Sequence, residues 1–202
     1  MISKIIILLP LAYFFGSVPW GVILTRLLAD VDIRKAGSGN IGAYNVYRLA
    51  GKRLAALTLI GDMSKGAVPV IVAMHWVDAC SSKGELLICL VAMTAFLGHT
   101  HSVFLGFKGG KGVATVAGCF LIISPLVFGI CALVYILILC IWGYSSASSL
   151  SAAAVLPGAI WLDLHSVPIL CSAIIMTLLI YIRHADNIRR LINGTEHSSL
   201  RS

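Results

Sequence analysis

The most informative absence in this 202-residue chain is charge. Only 11% of its residues are charged, against about a quarter in an ordinary soluble domain, while 59% are hydrophobic. Residues 113–162 contain no Asp, Glu, Lys or Arg, and at about 20 residues a span this stretch is long enough for two or three membrane helices. The composition excludes a soluble globular protein and indicates an integral membrane protein.

Paired cysteines and clusters of metal ligands are also missing. The six cysteines lack paired spacing, and all except Cys80 lie in apolar runs, which is typical of small packing residues. His99 and His101 stand two residues apart, the wrong spacing for one helical face, and no carboxylate accompanies them. We therefore expect no metal and no cofactor, and we interpret both histidines as packing residues.

The apolar runs predict an all-α, polytopic membrane protein. About seven transmembrane helices are expected, near residues 5–28, 54–77, 85–105, 113–124, 126–144, 147–162 and 166–183. Gly16 and Pro19 lie inside the first run and no small-residue cleavage site accompanies it, so we expect a retained helix rather than a removed signal. We treat residues 1–202 as a single domain.

The basic residues predict the orientation in the membrane. With the N-terminus outside, thirteen of the fifteen lysines and arginines lie at or near the cytoplasmic face, and only Lys4 and Lys83 remain outside. The positive-inside rule then favours an outer N-terminus and a cytoplasmic C-terminus. Anionic membrane lipid and topology explain the excess positive charge, so no nucleic-acid partner is expected.

The first polar loop, residues 34–53, reads RKAGSGNIGAYNVYRLAGKR. Its glycines permit turns that expose N–H groups, and its neutral polar side chains and arginine suit a small anionic, hydroxylated ligand. The candidate ligands are Gly37, Ser38, Asn40, Asn45 and Arg48. The alternative is a basic loop beside the membrane with ordinary turn residues.

The motif GDMSKG places Asp62 and Lys65 three residues apart in an otherwise apolar helix. The two side chains share a face and are expected to neutralise each other. Because ionisable residues within a span are functional candidates, Lys65 is a predicted substrate ligand, and an internal ion pair that anchors packing is the alternative.

The second loop, residues 98–115, reads GHTHSVFLGFKGGKGVAT and holds five glycines and two lysines. It is not a nucleotide-binding P-loop, because no glycine stands five residues before Gly110 and Gly112 follows the second lysine. We predict instead an anion nest, in which backbone N–H groups converge on a phosphate at the start of a helix. The predicted ligands are Lys108, Gly109, Gly110, Lys111, Gly112 and Thr115. A positive-inside turn rich in glycine is the alternative.

The C-terminal segment YIRHADNIRRLINGTE brings Arg183, His184 and Asn187 into one stretch. His184 and Asn187 are three residues apart and share a helical face, so they can present a donor and an acceptor to one ligand. The segment also reads as a basic amphipathic tail on the inner leaflet, and the two interpretations are compatible.

Taken together, the three segments resemble the signature loops of the bacterial acyl-phosphate:glycerol-3-phosphate acyltransferase family. The resemblance implies a small multi-pass enzyme of the bacterial inner membrane whose active site faces the cytoplasm. Such an enzyme transfers a fatty acyl group from acyl phosphate to the sn-1 hydroxyl of glycerol 3-phosphate, giving lysophosphatidic acid and phosphate. It would take both molecules as substrates, use no cofactor, and depend on another enzyme to produce the acyl phosphate.

The resemblance also implies residue roles. The catalytic residues would be Ser38, Arg48, Lys108, Lys111, His184 and Asn187, and Ser146 is a weaker candidate for contact with acyl phosphate. Tyr44 stands where the family usually has threonine, and we expect it to alter how the first loop closes. His101 and Ser102 replace an aromatic residue followed by proline, and we expect a looser turn into the second loop.

An acyl phosphate is a mixed anhydride and already activated, so a covalent acyl-enzyme is not required. The sequence has no G-x-S-x-G elbow, and no histidine is followed five residues later by aspartate. We expect Arg48, Ser38, His184 and Asn187 to hold glycerol 3-phosphate and the glycine-lysine loop to bind the donor phosphate. The proton of the hydroxyl goes to His184 or to a substrate phosphate oxygen, and the sequence leaves both open.

The main rival function is a transporter for a small anion or a phosphorylated solute. A transporter predicts polar residues that continue to the outer face, whereas most charged and amide residues here cluster on the predicted cytoplasmic side. One-sided clustering favours an enzyme.

Overall fold

A computed structural model describes residues 2–79 and 81–198, which leaves Cys80 outside the described part. The described chain is helical and contains no strand, so the all-α prediction is confirmed. The helices are α1 (Ile2–Ser17), α2 (Trp20–Ala29), α3 (Ala43–Trp76), α4 (Ser82–Thr100), α5 (Val113–Ile123), α6 (Pro125–Trp142), α7 (Ser145–Leu164), α8 (Val167–Arg183) and α9 (Ala185–Ile192).

Five segments of the described chain are long and apolar enough to cross a membrane. They are Lys4–Ala29, Ala43–Trp76, Ser82–Leu105, Pro125–Trp142 and Ser145–Leu164. A sixth is counted if α8 and α9, bent by 60°, form one span. Because α5 has only 11 residues, it is shorter than a bilayer core. The count of seven spans and the orientation of the termini stay predictions.

The helix expected at 5–28 is two helices in the structure. Pro19 has no N–H to continue the first helix, and α2 begins at the next residue. Near the break, glycines let α1 and α4 touch through their backbones. A Cβ on Gly16 would overlap the carbonyl of Ala95, and a Cβ on Gly98 would overlap that of Tyr13.

The helix expected to begin at residue 54 begins at Ala43, so the second half of the first loop is helical. The apolar face of this added segment explains the difference, because Val46 packs in a core cluster with Val22, Ile33 and Ile41. The segment is set off from the rest of α3 by Gly51, whose φ of 83° and ψ of 177° interrupt the helix.

The chain divides into two compact units, residues 1–122 and 123–202, which are described separately. The first contains both glycine-rich loops, and the second contains the C-terminal segment. In the first unit, a Cβ on Gly66 would overlap Thr115 and one on Gly118 would overlap Met63, so α3 and α5 are in backbone contact. In the second unit, Tyr181 donates to the carbonyl of Leu150 at 3.1 Å and joins α8 to α7.

Candidate functional site

The side-chain amide of Asn45, a buried residue that is only 2% exposed, holds the first loop in place. Its Oδ1 accepts the backbone N–H of Ser38 at 3.0 Å. Its Nδ2 lies within hydrogen-bonding distance of three carbonyls, those of Ile33, Ala36 and Asn40, at 3.1, 3.2 and 2.9 Å. Asn45 therefore organises the loop, and its amide faces the loop backbone.

Two glycines give this loop its path. Gly37 and Gly39 have φ of 61° and 70°, in the left-handed region that favours glycine. A Cβ on Gly37 would also overlap Oδ1 of Asn45. Any other residue at position 37 would be strained and would displace the amide that holds Ser38.

The base of the loop is clamped by Asp32. Its carboxylate accepts from Arg34 at 2.9 and 2.7 Å and from Arg26 at 2.8 Å. These guanidinium groups hold the pKa of Asp32 well below its ordinary range, and the hydrogen bond to Asp32 raises the pKa of Arg34. Both arginines are thus occupied with the carboxylate, which leaves anion binding in this loop to another cation.

Arg48 fits that role by position. It lies three residues after Asn45 on the same helical segment, its side chain is exposed, and it makes no hydrogen bond or ion pair within the described residues. Ser38 is exposed as well. Tyr44, the unexpected residue, stacks on Tyr47 with ring centroids 6.3 Å apart.

Two backbone N–H groups of the expected anion nest have partners within the chain. The N–H of Gly109 donates to the carbonyl of Thr100 and that of Gly110 to the carbonyl of His99, both at 3.1 Å. These N–H groups close the end of α4, and their convergence on a phosphate stays a prediction.

The glycines of this second loop serve close packing. A Cβ on Gly110 would overlap the ring of His99, and one on Gly112, whose φ is 85°, would overlap the ring of Phe96. The loop backbone therefore lies directly on α4. Lys108 is exposed, Lys111 is half-buried, and Thr115 is buried at the start of α5.

The turn that leads into the second loop is fastened to α1. Ser102 is buried and donates its hydroxyl to the carbonyl of Ser17 at 2.6 Å. Tyr13 donates to the carbonyl of His101 at 2.7 Å. Two tertiary hydrogen bonds thus hold the turn that we expected to be loosened by the missing proline. The side chain of His101 is exposed, which differs from the packing role expected for it.

Asp62 and Lys65 form the expected ion pair, with Oδ1 and Nζ 2.6 Å apart, and both side chains are almost fully buried. The sequence did not indicate the third member, His99, whose Nδ1 lies 3.1 Å from Nζ of Lys65. Thr115 donates its hydroxyl to the backbone carbonyl of Asp62 at 3.1 Å. No group of three or more His, Cys, Asp or Glu side chains in the described chain is arranged to hold a metal ion.

The second unit contains a polar cluster around Glu196. Its Oε1 accepts from Ser146 at 2.7 Å and from Asn187 at 2.6 Å, and its Oε2 accepts from Arg190 at 2.6 Å. Burial opposes ionisation, but the three hydrogen bonds outweigh it and hold the pKa of Glu196 below its ordinary value. Ser146 and Asn187, both predicted site residues, are thereby fixed to one carboxylate.

Sequence reasoning missed Glu196. The usable signal was the lone carboxylate that follows the basic helix α9, two residues after Gly194, whose φ of 67° turns the chain.

His184 joins α8 to α9 and is 2% exposed. Its Nδ1 lies 2.8 Å from the carbonyl of Ile180, so Nδ1 carries a proton. In the neutral ring, Nε2 is then the nitrogen that has the lone pair. This tautomer gives His184 the chemistry of a hydrogen-bond acceptor or base at Nε2.

Comparisons with known proteins extend over nearly the whole chain. Residues 6–194 match the glycerol-3-phosphate acyltransferase family. A protein of that name from Syntrophotalea carbinolica is 47% identical over 192 residues, 95% of each chain. One from Geotalea daltonii is 42% identical and covers 98% of each chain.

Two solved structures have a similar fold. One is a crystal structure of PlsY, an integral membrane glycerol 3-phosphate acyltransferase, in its glycerol 3-phosphate form. It has a TM-score of 0.91 and 35% identity and covers 96% of this chain and 95% of that one. The other is the lysophosphatidic acid form, with a TM-score of 0.89, 35% identity and coverage of 98% and 97%.

Proposed function

Because the chain belongs to the glycerol-3-phosphate acyltransferase family and is a multi-pass membrane enzyme of that kind, we propose that its acyl donor is an acyl phosphate and its acceptor the sn-1 hydroxyl of glycerol 3-phosphate. The products are lysophosphatidic acid and phosphate. The relatives solved with glycerol 3-phosphate and with lysophosphatidic acid support the acceptor and the product.

The proposed step is a direct transfer without an acyl-enzyme. The sn-1 oxygen attacks the acyl carbonyl carbon, a new ester C–O bond forms, and the C–O bond to phosphate breaks so that phosphate leaves with its electron pair. The proton of the hydroxyl passes to Nε2 of His184 or to a phosphate oxygen. The enzyme needs only to position two anions and stabilise the developing charge.

Ser38, Arg48, His184 and Asn187 are assigned to glycerol 3-phosphate. The observation that carries this assignment is the position of Arg48, exposed and outside any ion pair of the described chain, three residues after the amide that fixes Ser38. A guanidinium in that position matches the bidentate geometry of a phosphate. Gly37 through its backbone conformation, Asn40 through its carbonyl and Asn45 through its amide shape this loop.

The second loop is assigned to the donor phosphate. Because the N–H groups of Gly109 and Gly110 are used within the loop, binding rests on the ammonium groups of Lys108 and Lys111 and on the first turn of α5, which follows Gly112. Ser146 stays a weaker candidate for the donor, since its hydroxyl is engaged by Glu196.

The deciding experiment supplies purified protein with palmitoyl phosphate and labelled glycerol 3-phosphate. We expect labelled lysophosphatidic acid and one phosphate released per product. A preparation that makes product only from an acyl thioester would contradict the proposed donor. Uptake of labelled glycerol 3-phosphate into liposomes without product would support the transporter instead.

The general base is tested by the pH dependence of kcat in His184→Gln. If Nε2 of His184 takes the proton, kcat falls by about 10²-fold or more and loses its acidic limb. If a phosphate oxygen takes it, the acidic limb persists and the loss is limited to binding.

The proposed location is the bacterial inner membrane, with the reacting loops on the cytoplasmic side and the donor supplied by an acyl-phosphate-producing enzyme. Single cysteines introduced by Asn193→Cys and Lys83→Cys, in a variant whose six native cysteines are replaced by alanine, test the orientation. An impermeant thiol reagent should label position 83 in intact spheroplasts and position 193 only after lysis. The reverse pattern would overturn the proposed orientation.

A further inference from the structure

A buried polar cluster in the first unit takes no part in the reaction described above. Its members Asp62, Lys65 and His99 are only 1, 1 and 3% exposed. Burying two charges costs desolvation free energy of roughly the size that their attraction returns, so such a pair is weak evidence for stability alone. Within an apolar helix, a group of this kind points to a functional constraint.

The cluster holds the start of the second loop in place. An ammonium has only donors, so Nδ1 of His99 accepts from Nζ of Lys65 at 3.1 Å and the ring is neutral with its proton on Nε2. The Nε2 edge of the same ring lies against Gly110, where a Cβ would overlap it. The carbonyl of His99 also accepts the N–H of Gly110 at 3.1 Å.

The end of the loop is fastened to the same turn of α3. The hydroxyl of Thr115 donates to the carbonyl of Asp62 at 3.1 Å. One residue after Lys65, a Cβ on Gly66 would overlap the carbonyl oxygen of Thr115, so the two backbones touch there. One turn of α3 therefore contacts both ends of the second loop, at His99 and at Thr115.

We propose that Asp62, Lys65 and His99 are positioning residues that set the two ends of the loop relative to each other and thereby locate Lys108 and Lys111. The inference rests on the proposed function, in which these two lysines bind the donor phosphate. Lys65, predicted from the sequence as a substrate ligand, then acts by positioning the loop and does not contact the substrate directly. A displacement of a binding group by about 1 Å is enough to cost up to about 10²-fold in rate.

Two variants test the two ends separately. His99→Phe keeps a ring against Gly110 but removes the acceptor of Lys65, and Thr115→Val removes the hydroxyl bonded to Asp62 while keeping the shape. We expect each to raise KM for palmitoyl phosphate by about tenfold or more and to change KM for glycerol 3-phosphate by less than about twofold.

The matched control is Val91→Ala, a fully buried position on α4 about two turns before His99. It should lower the unfolding temperature in detergent and leave both KM values unchanged, because the cavity it creates lies away from the loop.

Unchanged KM values in the folded His99→Phe and Thr115→Val proteins would overturn the positioning role, as would an equal rise in Val91→Ala. Failure of both loop variants to fold would assign the cluster to stability instead.

Lys108→Arg separates this inference from the proposed function. If it raises KM for glycerol 3-phosphate rather than for palmitoyl phosphate, the donor assignment fails. The positioning role then still holds provided that His99→Phe raises KM for that same substrate.

Discussion

Oδ1 of Asn45 accepts the backbone N–H of Ser38 at 3.0 Å, so a buried helical residue fixes an exposed serine seven positions earlier. Nδ2 of the same side chain lies within hydrogen-bonding distance of the carbonyls of Ile33, Ala36 and Asn40. The conformation of the first loop therefore depends on one side-chain amide as well as on its glycines.

Asn45→Ala should destabilise the protein and abolish transfer together. Leaving the loop carbonyls and the N–H of Ser38 unpaired costs about 1–3 kcal/mol. Thermal unfolding in detergent and the transfer rate measure the two effects. The exposed Asn193 provides the control, since Asn193→Ala should leave both unchanged. A fully active Asn45→Ala protein would contradict the role of the amide.

Arg48→Ala should lower kcat/KM by about 10²-fold, the loss of roughly 3 kcal/mol expected for a charged bidentate contact, without lowering the unfolding temperature. The reason is that Arg48 is exposed and supports no packing. Arg53→Ala, an exposed arginine farther along α3, is the matched control and should retain near-normal kcat/KM. Equal losses of kcat/KM in both variants would mean that Arg48 contributes only general positive charge.

Gly110→Ala should impair both folding and donor saturation, because the added Cβ overlaps Nε2 of His99 and would push the loop away from α4. Gly129→Ala is the comparison, since a Cβ there meets nothing within 4 Å. It should be neutral or stabilising by up to about 1 kcal/mol. Unfolding temperature and KM for palmitoyl phosphate are the measurements. A normal unfolding temperature and a normal KM for Gly110→Ala would show that the loop can accommodate a Cβ at this position, which would contradict the close packing.

The stability of the second unit should depend on pH through Glu196. Its folded pKa lies below the unfolded one, so its contribution is fully present above the ordinary range, about 4.3, and is lost as the pH falls through the lowered value. Glu196→Gln should unfold at lower temperature at pH 7, because the pairing with Arg190 is gone, and its unfolding temperature should fall less between pH 6 and about pH 3. Parallel curves for the two proteins would contradict this.

Periodicity and composition predicted the helices that are long and uninterrupted, such as α6 and α8, to within a few residues. They failed where local chemistry competes with hydrophobicity. The first helix breaks at Pro19, which interrupts the ladder of hydrogen bonds despite apolar residues on both sides. Conversely, α3 starts before the predicted residue 54 because Val46 packs in a hydrophobic core cluster. The sequence of a basic loop does not show that packing.

For the candidate site, the sequence predicted the charged and polar residues but not most of the side chains that they contact. The spacing of Asp62 and Lys65 gave their ion pair, because three residues on one helix fix the geometry. The contacts of Lys65 with His99 and of Ser146 with Glu196 join residues 34 and 50 positions apart. Such pairs depend on how helices pack, and no local pattern encodes them.

Ser102 donates its hydroxyl to the carbonyl of Ser17 at the position where the family resemblance leads one to expect a proline. A proline stiffens the unfolded chain as well as the folded one, whereas this bond forms only once α1 and α4 have met. The bend ahead of Lys108 is consequently held in place only when α1 and α4 are packed together. Its rigidity then rises and falls with the integrity of that helix pair.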